Sequence, residues 1–273
     1  MDDHLKVLKE KIIIRGRVEP LTSLHIGWQR SFDPVDSDAQ VIKDPRGNPF
    51  IPGSSFKGIL RSFIERFLSG AGVKKVCFPT DNESCIDDEE LDELVEAGDK
   101  IKYILENACP VCRVFGSSHM GSKLKIKDMP VKKEEWHEVF LRIRDGIIID
   151  RESRTAKDKG KYDFETVSPG VVFNMELVGD NLTDAEKGMI FTAFDLISQG
   201  FGALGGNVSR GTGKIKINLT EIEILNPRQF FEQYNKDKNN IAPVIKKGVE
   251  LEQYIKKMID SFFETYRSEV EHV

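Results

Sequence analysis

The stretch from Leu24 to Leu68 constrains this chain most, because it fixes a strand, a loop and a helix in that order. From Phe56 onward, apolar residues fall at Phe56, Ile59, Leu60, Phe63, Ile64, Phe67 and Leu68. Steps alternating between three and one make the stripe of an amphipathic helix. Pro52-Gly53 breaks the chain before that stripe, and Ser54 or Ser55 is placed to cap the free N–H groups. A helix N-terminus carries roughly half a positive charge. Lys57 and Arg61, four residues apart, add cations on one face near it. Free amides, hydroxyls and cations together suit a phosphate. The alternative is a capped surface helix with a solvated basic edge.

The loop before the helix, Ser31 to Asp44, holds Asp33, Asp36, Asp38 and Asp44 with little apolar content. Carboxylates this dense repel one another unless they hold a metal, meet cations or face water. Asp is also a common turn residue, bonding its own backbone. The same loop thus reads either as turn structure or as a carboxylate presented beside a phosphate-binding helix, as phosphodiester cleavage requires. His25, just upstream, has no partner evident in sequence that would make it a general base.

The four cysteines are Cys77, Cys85, Cys109 and Cys112. The pair Cys109-Pro-Val-Cys112 has the spacing of a metal knuckle, while Cys77 and Cys85 have seven residues between them, wider than usual. His119 is an alternative ligand. The expectation is a structural zinc held by all four thiolates, which leaves no open position for catalysis. Buried free thiols are the competing explanation. The N-terminus M-D-D-H-L-K has no apolar core segment, and no apolar run approaches the length of a membrane span. A cytoplasmic protein without membrane association is expected. The net charge of −5 carries no nucleic-acid footprint, but it is a sum. Asp87–Glu96 concentrates acid, and Arg142–Lys161 concentrates base.

Residues 11–27 read as a strand, with Ile12, Ile14 and Val18 partly keeping a period of two. Residues 73–121 read as an insertion bearing the cysteines and an acidic helical segment, and 123–131 as a half-buried strand with a basic face. Residues 142–178 read as a long hairpin, with Ile147–Ile149 in one arm, Val171–Leu177 in the other, and a long polar tip between them. Thr183-Asp-Ala-Glu186 is a capping box opening a second helix. A glycine-rich stretch, 200–213, then leads into a strand; it is not a Walker A loop, for a strand follows it. Strand, helix, strands, helix, strand is the order of an α+β, ferredoxin-like (RRM-like) fold, a layout shared with RNA-recognition domains. Beyond residue 226 lies a helical extension whose stripe from Leu251 to Tyr266 must be buried.

Four segments in order, L-H-I-G…D-A-Q-V-I-K-D-P-R-G-N-P-F-I-P-G-S-S-F-K-G-I-L-R-S, C-P-V-C-R-V-F-G-S, R-D-G-I-I-I-D-R-E-S-R-T-A and G-A-L-G-G-N-V-S-R-G-T-G-K, resemble the RAMP superfamily of CRISPR proteins. More narrowly they resemble the Csm-like backbone subunit of type III effector complexes. The resemblance implies a RAMP core over 1–225, with the zinc-binding insertion and a hairpin thumb inside it, and a separate extension over 226–273. It implies guide RNA, target RNA, copies of the chain in a filament and other type III subunits as partners. It also implies cleavage of bound target RNA with Mg or Mn, by an aspartate that falls at Asp38, with Asp36 as the alternative register because Ala39-Gln40 departs from the family pattern. The implied RNA contacts are Ser54, Ser55, Lys57 and Arg61 on the helix, Arg154 and Lys157 on the thumb, and Gly205, Gly206, Arg210, Gly211 and Lys214 in the glycine-rich loop. Two rivals remain. One is a non-catalytic RNA-binding scaffold; the other is a guide-processing endonuclease, which would use a histidine-centred site.

Overall fold

The computed structural model describes residues 6–30, 39–73, 76–78, 84–236 and 242–270. In order, the elements are β1 (Lys11–Pro20), β2 (Gly27–Arg30), β3 (Ala39–Val41), β4 (Phe50–Ile51), α1 (Gly53–Gly70), α2 (Asp88–Glu93), α3 (Ala97–Asn107) and α4 (Pro110–Phe115). There follow β5 (Leu124–Ile126), β6 (Met129–Pro130), β7 (Leu141–Ile149), β8 (Ala156–Val167), β9 (Phe173–Asp180), α5 (Asp184–Gln199), β10 (Ile215–Leu225), α6 (Pro227–Lys236), β11 (Val244–Lys246) and α7 (Gly248–Val270).

The main sheet has the order β11-β10-β1-β9-β5, every neighbour antiparallel. Stripped of β11, the path β1-α1-β5-β9-α5-β10 is the ferredoxin-like arrangement expected from the order of elements. β1 keeps its period of two: Ile12, Ile14 and Val18 are buried, with Phe56, Leu60 and Ile64 of α1 and Ile190, Phe194 and Ile197 of α5 in the same core. The capping box that opens α5 is formed in both directions, Glu186 N donating to Thr183 Oγ1 (3.2 Å) and Thr183 N to Glu186 Oε2 (2.8 Å). α7 buries Leu251, Met258 and Phe262 of its stripe in the core of the same subunit and packs Tyr254, Ile255, Ile259 and Tyr266 against it, while Phe263 stays exposed. Gly188 of α5 lies so close to the Met258 carbonyl of α7 that a Cβ there would sit 2.0 Å from the oxygen.

The opposite face of the sheet is charged and internally paired. Arg15 bonds Glu176 (2.9 Å), Glu221 (2.6 Å) and Glu223 (2.9 Å). The basic residues of the 123–131 strand join this pairing. Lys125 is paired with Asp180, Lys127 with Glu176, and Lys123 is buried against Glu186 at 2.8 Å.

The hairpin also differs from expectation. Its second arm is β8, paired with β7 from Leu141↔Val167 to Ile147↔Lys161 and, past a register shift, at Ile149↔Ala156, whereas Val171–Leu177 runs into β9 of the main sheet. β8 reads A-K-D-K-G-K-Y-D-F-E-T-V, and its polar run hides a strand: β7 is largely exposed, and β8 buries side chains chiefly at its root, Phe164, Thr166 and Val167. The tip is a short turn in which Asp150 accepts from the N–H groups of Glu152 and Ser153, and Arg154 takes φ +55°. β8 joins β3 in parallel, and β3 pairs with β2, so the thumb shares a second sheet with the strands flanking the acidic loop.

Candidate functional site

The expected site residues fall into three groups. The first surrounds the start of α1. Pro52 is the N-cap and no side chain of Ser54 or Ser55 caps the helix. Instead Gly53 N–H donates to Asp128 Oδ1 at 2.8 Å, a partner too distant in sequence to be read from a capping pattern. Ser54 is exposed and Ser55 half-buried. Lys57 is half-buried and donates to Ser122 Oγ at 2.9 Å. Burial, and next the charge of Arg61, hold its pKa below the ordinary lysine value. Lys57 has no carboxylate partner among the described residues. Arg61 turns inward: Nε bonds Glu65 Oε1 (2.8 Å), Nη1 bonds the Gly116 carbonyl (3.0 Å) and Nη2 bonds Cys112 Sγ (3.5 Å). Burial opposes its charge, but Glu65 and the Cys112 and Cys77 sulfurs outweigh it and raise its pKa.

The second group is the cysteine centre. The four Sγ atoms of Cys77, Cys85, Cys109 and Cys112 lie within 4.8 Å of one another. Cys77 is 3.4 Å from Cys112 and 3.6 Å from Cys109, and none is in a disulfide. Tetrahedral zinc at about 2.3 Å from each sulfur places the sulfurs about 3.8 Å apart, so the cluster fits such an ion. Cys109 caps α4 by accepting from Cys112 N–H (3.3 Å), which orients the knuckle. Without a cation the thiols cannot all ionise: Cys112 and Cys85 donate to Cys109 and hold its pKa far below the ordinary value, while donation to Cys109 pushes Cys112 up and burial pushes Cys77 up to about 12. His119, the alternative ligand, sits instead 3.1 Å from Asp88. The centre therefore suits a metal such as zinc with four sulfur ligands and no open position.

The third group gathers around His25. The glycine-rich loop folds back on the segment after β1: Gly206 N–H donates to the His25 carbonyl (2.8 Å), Gly213 N–H to Ser23 O (2.9 Å), and Leu21 N–H to Lys214 O (2.8 Å). Gly205 (φ +89°) passes so near that a Cβ would lie 2.2 Å from His25 O. The His25 imidazole donates from Nδ1 to the Glu165 carbonyl at 2.7 Å and meets Phe164 edge-on. The Glu165 carboxylate in turn accepts from Val41 N–H (3.1 Å) and pairs with Lys43 (2.9 Å). Arg210 lies over the Tyr162 ring at 5.2 Å, and Tyr162 crosses a strand position where only Gly146 leaves room. Gly205, Gly206, Arg210, Gly211 and Lys214 are exposed around this junction, and Arg154 and Lys157 are exposed on the thumb. His25, Tyr162 and Glu165 were not among the expected contacts; the aromatic and acidic residues of β8 gave no periodic signal to single them out.

Asp36 and Asp38 lie outside the described residues, although β2 and β3 on either side of them belong to the His25 junction. Asp44 is a turn residue: Oδ1 accepts from Arg46 N (2.9 Å) and Asn48 N (2.8 Å), and Oδ2 from Asn48 Nδ2 (3.1 Å). The Asn48 hydrogen bonds, chiefly to its backbone, hold the Asp44 pKa below the usual carboxylate range. No hydrogen bond joins the α1 group to the His25 group among the described residues.

A fold of this topology, with a glycine-rich loop, a projecting hairpin and a cysteine centre, defines an α+β protein of the RAMP class. A sequence model of the RAMP superfamily matches residues 17–216, and the chain belongs to that superfamily. It is similar to the protein named CRISPR system Cms endoribonuclease Csm3 from Methanocaldococcus jannaschii, 28% identical over 239 residues that cover 82% of this chain and 85% of that one. The Csm3 protein of Enterococcus italicus is 27% identical, covering 78% and 92%, and that of Streptococcus thermophilus 25% identical, covering 75% and 86%. No helix among the described residues is long and apolar enough to cross a membrane.

Proposed function

We propose that this chain is a guide-RNA-binding backbone subunit of a type III CRISPR effector complex that cleaves complementary target RNA. The observation carrying this reading is the His25 junction, which ties the glycine-rich loop, the thumb root and the strands flanking the acidic loop into one unit. In this reading the open glycine loop lets backbone amides approach the guide phosphates. Arg210 and Lys214 flank it, Ser54, Ser55 and Lys57 meet a further phosphate, and Arg154 and Lys157 carry the thumb between strands. Sequence is read by base pairing, and copies of the chain repeat along the guide beside other subunits. The relatives' name, endoribonuclease, supports the cleavage assignment.

For cleavage, Asp38 is the acting carboxylate, with Asp36 as its alternative. It orients the target 2′-hydroxyl toward the adjacent phosphorus, which a kinked backbone brings into line. Divalent Mg or Mn bound there would supply charge neutralisation at the phosphate. Zinc in the cysteine centre has a structural role only.

The test is Asp38→Ala beside Asp36→Ala in the assembled guide complex, with guide binding and target cleavage measured separately. Loss of cleavage with binding retained in Asp38→Ala upholds the assignment. Cleavage lost only in Asp36→Ala moves the register by two residues. Target bound but uncut by wild type makes the chain a scaffold.

A further inference from the structure

Of the two cations that the α1 stripe places on one face, only Lys57 remains near the helix start; Arg61 has been drawn away from it. Its guanidinium spends donors on three fixed acceptors: the Cys112 sulfur (3.5 Å), the Gly116 carbonyl just past the knuckle (3.0 Å) and the Glu65 carboxylate of its own helix (2.8 Å). Its side chain is 22% exposed and that of Glu65 10%. This fork-shaped engagement of three acceptors is one that guanidinium makes and ammonium cannot.

The chemistry on the other side explains the arrangement. Four thiolates around one divalent zinc carry a net charge of about −2, and the cysteine centre is buried apart from Cys85. A buried excess of negative charge requires a partner, and hydrogen bonds to ligating sulfur from outside the ligand set orient the ligands and tune affinity. Arg61 is such a donor. It is also a residue of α1, one turn from Lys57, which in turn holds Ser122 on the segment leaving the cysteine centre. Two successive turns of α1 are thereby fastened to the chain around and just after the knuckle.

We propose that Arg61 is a positioning residue of the cysteine centre rather than an RNA ligand, and that through it metal occupancy sets how the first turn of α1 presents Lys57 and its free amides. The second half rests on the RNA-binding reading given above; the first does not.

The experiment uses the purified full chain loaded with zinc, as wild type, Arg61→Ala, Arg61→Lys and Lys57→Ala, with folding checked by circular dichroism. Zinc retention is titrated against a chromogenic chelator, and affinity for a single-stranded RNA of guide length is measured with excess zinc present and again after chelation. Arg61→Ala is expected to weaken zinc retention about 10–100-fold. Arg61→Lys should fall between, and carries the test if the alanine variant does not fold. Lys57→Ala should keep wild-type zinc retention. With zinc saturating, Arg61→Ala should lose part of the RNA affinity that Lys57→Ala loses, chelation should weaken RNA binding by wild type, and chelation should cost Arg61→Ala little more. Wild-type zinc retention in Arg61→Ala, or an RNA defect at full zinc occupancy as large as that of Lys57→Ala, would overturn the proposal. Unchanged RNA affinity after chelation would remove its second half. Failure of every form to bind RNA would sink the RNA-binding reading, while the chelator titration still decides the role of Arg61.

Discussion

The glycine-rich loop permits a paired test of how its backbone is held. Gly205 and Gly211 both have positive φ, +89° and +81°. Replacing either by alanine incurs the left-handed backbone penalty of about 1–2 kcal/mol. Their surroundings differ. At Gly211 a Cβ meets nothing within 4 Å, whereas at Gly205 it would lie 2.2 Å from the His25 carbonyl oxygen and 3.1 Å from its carbon. His25 cannot easily move, since its carbonyl accepts from Gly206 N–H and its ring is bonded to Glu165. Relieving the contact means breaking the Gly206 bond, a further loss of about 1 kcal/mol, and lifting the loop. Gly205→Ala should therefore destabilise by about 2–4 kcal/mol and Gly211→Ala by about 1–2 kcal/mol. Urea denaturation monitored by circular dichroism measures both. Guide-RNA affinity should drop in Gly205→Ala, where the loop is displaced, by more than in Gly211→Ala. Equal losses of stability would refute the claim that the His25 carbonyl is the contact that fixes this loop.

Two further predictions concern the core and its charged face. Lys123→Met leaves Glu186 buried with only its capping-box partner, and should destabilise by about 3–5 kcal/mol in thermal or urea denaturation; pairing it with Glu186→Gln should recover part of that loss. On the sheet's outer face, Lys127 and then Arg15 lower the pKa of Glu176, Lys247 and Arg15 lower that of Glu221, and Asp180, despite partial burial, is lowered by Lys11 and Lys125. Folded-state pKa values below the unfolded ones mean stability that is present above about pH 4 and is lost as pH falls through the depressed values. The denaturation midpoint should stay flat from pH 7 to 5 with respect to these groups and fall below 4, with a shallower fall in Arg15→Met; an equally steep fall in the variant would dismiss the network as its cause.

Much of this was legible in the sequence because it rests on local periodicity. β1, α1, the α5 capping box and α7 each carry their own burial pattern, and the cysteine set carries its own spacing. What the sequence hid depends on partners far along the chain. Asp128 caps α1 across 75 positions, and Arg61 reaches Cys112 across 51. Lys125 and Lys127, on the strand read as having a basic face, meet carboxylates of β9 that only strand pairing brings alongside. β8 escaped detection because its outer half, A-K-D-K-G-K, is polar, and its buried root, Phe164, Thr166 and Val167, is too short and too mixed for apolar alternation to mark it. His25 showed no partner in the sequence; the Glu165 carbonyl and Phe164 that hold it lie some 140 positions away, so its place at the junction of three elements was not legible.

The central claim is guide-directed cutting of target RNA, and the most direct test is to assemble the complex on a guide, add a long complementary RNA with magnesium, and map the cut positions. The account predicts cuts at a constant spacing that disappear with chelation of magnesium and with Asp38→Ala while the target stays bound. A target bound but left intact, or cut at the same positions by the Asp38→Ala complex, would contradict it.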